Sequence, residues 1–237
     1  MREIGAEVVF RLRELFEPEA DREWAVGAAR YMRDQFAFLG VRTPDRRRLT
    51  RLADISISSE AELADVARAL WAEPEREFQY AGCDLLAEHV GLVGADFLDV
   101  MLELITTSSW WDTVDALAAH TVGPIVLEHP TAALTMDRWV EWENIWVART
   151  AILHQLTFEA STDQRRLFDY CGRRSTDAEF FIHKAIGWAL RSYAATNPDA
   201  VAEFVATTPT LAPLSTREAM KGVERARRRA DPREISG

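Results

Sequence analysis

The sequence predicts an all-α fold, a solenoid of stacked helical repeats. Aromatics recur at Phe78, Trp111, Trp146 and Phe181, at intervals of 33, 35 and 35 residues, and each opens a similar apolar stretch: FQYAGCDLLAEHV, WDTVDALAAHTV, WVARTAILHQLTF and FIHKAIGWALRSYA. A period of this size marks helical units that bury their apolar faces by stacking on neighbours. Apolar residues return at helical spacing almost everywhere, and no alternating polar and β-branched run extends beyond a few positions. The breaks between periodic segments are short, as stacked helix pairs require.

Helices are expected near 3–16, 22–37, 44–54, 60–72, 75–91, 95–106, 110–128, 131–141, 144–157, 162–172, 178–195, 198–206 and 215–229. Their starts are signalled at Thr43-Pro44, where Thr can cap and Pro suits the first turn, at Glu73-Pro74, at Asn197-Pro198, and at Ser215 with Glu218 as a capping box. Gly40, Gly91 and Gly94 lie near breaks. Residues 1–237 are expected to form a single HEAT-like repeat domain with a frayed tail near 227–237.

Composition narrows the class. A hydrophobic share of 48 %, with 8 Trp and 11 Phe, supplies ample core. Cys83 and Cys171 fall inside helix-like patterns without paired spacing, so no disulfide framework is expected. The N-terminal stretch MREIGAEVVFRLRELF is charged throughout, unlike a secretory signal, and no run of 18 apolar residues suggests a membrane span. A cytoplasmic, nucleoid-associated monomer is the expectation.

The net charge of −10 by itself opposes a nucleic-acid partner. Its distribution is less one-sided. Basic residues gather at Arg42, Arg46, Arg47, Arg48 and Arg51, at Arg165, Arg166, Arg173 and Arg174, and at Arg225, Arg227, Arg228 and Arg229. A solenoid can line a concave surface with such clusters, or they can be solvated helix faces and a basic tail.

Charge also interrupts the repeats. Asp115, Arg149 and Lys184 stand three or four residues after a repeat aromatic, where packing alone asks for none. In SSWWDTVD, a Ser cap precedes two tryptophans, and Trp111 shares a helix face with Asp115 one turn on. Neighbouring helical residues diverge by about 100°, so one indole of the pair points inward and the other outward. Arg149 sits in an otherwise apolar helix; it either pairs with an acid such as Asp115 or offers its fork to a phosphate or carboxylate. Lys184 occupies the corresponding slot one period later, with Trp188 one turn further on. Gly187 in a helix interior implies close approach of another helix or a ligand. Together Trp111, Asp115, Arg149 and Trp188 would supply two aromatic walls, a carboxylate and a guanidinium, a setting suited to a cationic, sugar-linked substrate.

The segments SSWWDTVD, NIWVARTAILHQL, EFFIHKAIGWALRSYAATNPDAV, APLSTREA and YMRDQFAFLGVRTPDRRRL resemble those of the AlkD-type alkylpurine DNA glycosylases, and the likeness runs from about Glu23 to Glu224. The resemblance implies HEAT-like repeats that wrap double-stranded DNA and hydrolysis of the N-glycosidic bond of cationic alkylated purines, chiefly 3-methyladenine and 7-methylguanine. It further implies action without base flipping and without a cofactor or metal. Residue by residue, it implies Asp115 as the catalytic carboxylate, Trp111 and Trp188 as indoles against sugar and backbone, and Arg149 as a phosphate contact. Arg46, Arg47, Arg48, Lys184 and Arg191 are taken as further DNA-binding residues. Lys184, Lys221 and the N-terminus are the amines available for a Schiff base, and a monofunctional enzyme is expected, with Lys184 on phosphate.

No HExxH or Cys/His ligand spacing, phosphate-cradling glycine loop or GxSxG elbow is present. The alternative is a HEAT-like scaffold, or a DNA-binding protein without catalysis. A TPR-type adaptor is disfavoured because the repeats lack that motif's Gly-Tyr pattern.

Overall fold

The structure, a computed structural model, describes residues 4–230. It is all-α, in keeping with a helical-repeat fold, and among the described residues no strand forms beyond an isolated bridge between Ala37 and Glu75. The residues gather into two compact units, Met1–Ser109 and Trp110–Gly237.

In the Met1–Ser109 unit, α1 (Ile4–Phe16) lies on α4 (Glu60–Trp71), which also packs on α5 (Arg76–Glu88) and α6 (Leu98–Thr106); α3 (Thr43–Leu52) packs on α1 and α5. α1 buries Val8, Leu12 and Phe16, four residues apart on one face, and each contributes roughly 2 kcal/mol by leaving water. Asp65 of α4 accepts the Gly5 N–H at 2.8 Å, so one helix caps another.

α2 (Arg22–Tyr31) ends six residues before the expected 37. Arg33 and Asp34 turn left-handed, at φ 57° and 55°, and the chain leaves the helix. The departing segment places Phe36 under the buried Arg76 guanidinium, 3.7 Å from ring centroid to Cζ. Gly40 then adopts φ 94° beside the backbone of Asp21, a close approach that leaves no room for a side chain. The Glu77 carboxylate receives the N–H groups of Leu39, Gly40 and Val41 at 3.1, 2.8 and 3.2 Å and pins this loop.

In the Trp110–Gly237 unit, α7 (Trp111–Leu117) runs through a π-helical turn at Ala118–Val122 into α8 (Gly123–Glu128), together covering the helix expected near 110–128. The π-turn is secured from outside by the Thr157 hydroxyl, which donates to the Ala119 carbonyl at 3.2 Å. α9 (Ala133–Trp139) and α11 (Gln164–Arg173) flank α10 (Ile145–Leu153), and α13 (Pro198–Thr207) flanks both α12 (Phe180–Tyr193) and α14 (Pro213–Ala230). The helices α7, α10, α12 and α14 stack successively on one another, and this row carries the polar residues that interrupt the repeats.

Several start signals resolve differently from expectation. α3 is capped at Arg42 and α5 at Glu75, neither with a side-chain hydrogen bond, so Thr43 is not the cap and Pro74 precedes its helix. α14 begins at Pro213, and Ser215 is buried, donating to the His183 carbonyl of α12 at 2.8 Å instead of capping its own helix. Proline at the first turn set the start earlier, and docking on α12 consumed the serine. Asn197 does cap α13, accepting from the Ala200 N–H at 3.1 Å. Of the expected frayed tail, residues 227–230 complete α14, and 231–237 lie outside the described residues.

Candidate active site

The site is built on an aromatic floor. Trp110 stands in extended conformation just before α7, and Ser109 bonds back to the Ile105 carbonyl, so no serine caps that helix. The Trp110 ring meets Trp146 and Phe181 at centroid distances of 5.6 and 5.2 Å, and those two meet each other at 4.9 Å. The repeat register therefore runs through Trp110, and the expected slot at Trp111 is shifted by one residue. That shift turns Trp111, the half-buried first residue of α7, onto the helix face of Asp115.

Asp115 and Arg149 meet fork to fork. Arg149 Nε donates to Oδ1 at 2.7 Å and Nη2 to Oδ2 at 2.8 Å, while Nη1 donates to the Phe181 carbonyl. The arginine is buried, and the carboxylate keeps 15 % of its side-chain surface exposed. α7, α10 and the start of α12 are thus joined through one guanidinium. Burial pushes the Asp115 carboxyl above the usual range, against the opposing hydrogen bonds and charge of Arg149; the neighbouring Asp112 adds to the rise.

The other α12 side chains complete the surroundings. The Arg149 guanidinium lies 5.6 Å from the Trp188 ring centroid, with Lys184 Nζ at 5.9 Å and the Arg191 guanidinium at 5.8 Å from the same ring. Arg191 donates to Glu218, which also takes Lys221 at 2.9 Å; the lysine hydrogen bond, partly offset by burial, holds that carboxyl low, helped by the charges of Lys221, Arg191 and Lys184. Glu218 as the counter-ion of Arg191 was not foreseen, because its spacing from Ser215 mimics a capping box.

The expected basic residues fare unequally. Each nitrogen of the Arg149 guanidinium donates within the protein, two of them to the Asp115 carboxylate, so in this geometry its fork faces a carboxylate. Arg46 is not a surface cation either: it is buried, bonds Asp84 at 2.8 Å and lies over Tyr80. Arg47 is exposed and shares Asp84, whereas Arg48 is exposed with looser carboxylate neighbours at 3.5 and 3.7 Å. The cluster around α11 is largely neutralised, Arg166 by Asp137 and Asp163, Arg173 by Glu141 and Asp169, and Arg174 by Asp177.

No group of three His, Cys, Asp or Glu side chains among the described residues could hold a metal, and no described helix is long and apolar enough to cross a membrane.

A row of stacked helices that carries one arginine-clamped carboxylate defines a helical-repeat protein with a polar site set into its packed row. The chain belongs to the DNA alkylation repair enzyme family, whose pattern matches residues 12–223. It is similar to a solved structure described as a predicted DNA alkylation repair enzyme from Enterococcus faecalis, with 33 % identity and a TM-score of 0.79 over 85 % of this chain and 95 % of that one. No curated protein matches the chain significantly.

Proposed function

We propose that this protein is a monofunctional DNA glycosylase of the AlkD type, hydrolysing the N-glycosidic bond of cationic alkylated purines, 3-methyladenine and 7-methylguanine, in double-stranded DNA. The observation that carries this is the Asp115 carboxylate, fixed by Arg149 yet open to solvent on one side. A purine that already bears a positive charge departs as a neutral molecule and needs no general acid. The task left is to stabilise the deoxyribose oxocarbenium ion, and a preoriented carboxylate does this without reorganisation at the moment of reaction. Arg149 acts through Asp115, as a positioning residue. Trp111 and Trp188 pack on sugar and backbone, and Lys184, Arg191, Arg47 and Arg48 meet phosphates.

The base stays in the stack, so the enzyme avoids the unpairing cost of base extrusion and selects lesions by their own tendency to depart. Neutral lesions are then poor substrates. No cofactor takes part in this scheme. The test is release of methylpurines from methylated duplex DNA, with a neutral lesion alongside and borohydride added to trap any Schiff base. Free methylpurine without trapped adduct is expected; no release, or a trapped adduct, would reject the assignment.

The other reading is a non-catalytic DNA-binding scaffold, favoured by one observation: the Asp115–Arg149 pair is self-satisfied and could be structural. Tight binding of methylated duplex with no base release would establish it.

A further inference from the structure

We propose that Glu218 is a positioning residue for base release: from α14 it holds the Arg191 guanidinium beside the Trp188 indole, so that the two meet the DNA backbone together. The inference rests on the glycosylase reading of the Asp115 site and concerns what orders the α12 side of that site.

The two helices are built to touch at this point. Gly187 of α12 lies under the Glu218 stem, where a Cβ would stand 2.8 Å from Glu218 Cβ and 3.4 Å from its Cγ. One turn beyond Glu218, Gly222 of α14 faces Arg191, and a Cβ there would stand 2.7 Å from the Arg191 carbonyl oxygen and 2.9 Å from its Cα. A glycine on each helix thus lets the backbones approach around one charge pair. The register is fixed nearby by the buried Ser215, whose hydroxyl donates to the His183 carbonyl at 2.8 Å.

This contact sets an almost enclosed acid under exposed bases. Glu218 keeps 8 % of its side-chain surface, whereas Arg191 keeps 41 %. The carboxylate receives Nη1 of Arg191, and Lys221 Nζ at 2.9 Å. Lys184, Trp188 and Arg191 follow one another at spacings of four and three residues along one face of α12. Both cations border the Trp188 ring, at 5.9 and 5.8 Å from its centroid, and the same ring lies 5.6 Å from the guanidinium that clamps Asp115. A line of contacts therefore runs from Glu218 through Arg191 and Trp188 to the clamp. Ion pairs with an exposed partner add little stability, and a negative charge beside a phosphate-binding surface weakens DNA affinity. What this carboxylate supplies is orientation, because it fixes one guanidinium nitrogen of a long side chain that otherwise faces solvent.

The test is single-turnover release of 7-methylguanine from methylated duplex at saturating protein, with duplex affinity measured alongside, for Glu218→Gln, Arg191→Gln and the double variant. Glutamine at 218 keeps the shape and removes the charge. Its rate at saturation should fall roughly tenfold or more while duplex affinity stays within about threefold of wild type or tightens, a split that a merely structural role does not produce. Arg191→Gln should lose rate to a similar degree, and the double variant should be no more than about twofold slower than Arg191→Gln, because both substitutions break one link. A full rate in Glu218→Gln, a deficit that vanishes at saturation, or losses that multiply in the double variant would overturn the inference. Should Glu218→Gln not fold, Arg191→Gln decides: a lost rate supports the link and a full rate overturns it. A wild type that releases no base rejects the glycosylase reading and this inference with it, whereas normal wild-type release beside an unaffected Glu218→Gln rejects the role of Glu218 alone.

Discussion

Arg149 holds both oxygens of Asp115, at 2.7 and 2.8 Å, from a helix one repeat further along the chain. The pair joins α7 to α10, and the third guanidinium nitrogen joins both to the start of α12 through Phe181. Buried ion pairs seldom outperform apolar packing in stability, so a carboxylate held this way is better explained by a need for orientation.

Removing the clamp separates stability from orientation. Arg149→Met leaves a mostly buried carboxylate uncompensated and should cost about 3–5 kcal/mol, read by denaturant unfolding. Arg149→Lys keeps the charge but not the fork; base release should fall roughly 100-fold while the fold persists. Unchanged release by the lysine variant would show that Asp115 needs no fixed orientation.

The pH profile follows from the direction of the Asp115 shift. Because burial raises its pKa, kcat/KM should decline with falling pH through a midpoint above the ordinary aspartate value of about 3.9. The stability effect has the opposite sign from that of a carboxylate whose pKa is lowered. A raised acid pKa means the folded state holds the proton more tightly, so the contribution is present at low pH and lost as pH rises through the same window. An acid limb at the ordinary value would contradict the burial of this group.

His154 provides a second pH effect. It is buried beside Tyr170, with a ring nitrogen 2.7 Å from the Ala151 carbonyl, and burial brings its pKa down to about 4. Between pH 6.5 and about 4 the unfolded chain takes up a proton that the folded protein refuses. Stability is therefore full above 6.5 and drops by about 3 kcal/mol as pH falls through that window. His154→Gln should flatten this part of the curve in thermal melts at successive pH values.

Gly187 marks a close approach of α12 and α14. A Cβ there would lie 2.8 Å from Glu218 Cβ and 3.3 Å from Ser215 Cα. Alanine normally stabilises a helix interior by about 1 kcal/mol over glycine, but here the overlap should dominate and Gly187→Ala should lose about 1–3 kcal/mol. Glu218 would shift as well, weakening its hold on Arg191. A gain in Tm would show that the two helices slide apart without penalty.

Much of this was legible in the sequence because helical periodicity and repeat spacing are local signals. The close packing at Gly187 and the pairing of Arg149 with Asp115 could be anticipated from a glycine and a charge in apolar helices. What escaped was decided by neighbours distant in sequence. The inward indole proved to be Trp110, since Phe181 and Trp146 supply its pocket, and no property of the Trp-Trp pair distinguishes the two. Ser215 met the pattern of a cap but was claimed by the His183 carbonyl. Arg46, inside a run of arginines that reads as solvated, was drawn inward by Asp84 and Tyr80. The left-handed turn at Arg33 and Asp34 ended α2 where helical periodicity continued, and the chain beyond it packs Phe36 against Arg76.

The most direct test is release of 7-methylguanine from methylated duplex DNA by the wild-type protein and by Asp115→Asn, compared at equal concentration and equal circular dichroism. Asparagine keeps the shape and one acceptor for Arg149 but removes the charge. A loss of at least 100-fold is expected if that charge stabilises the sugar cation; full activity in the variant would contradict it.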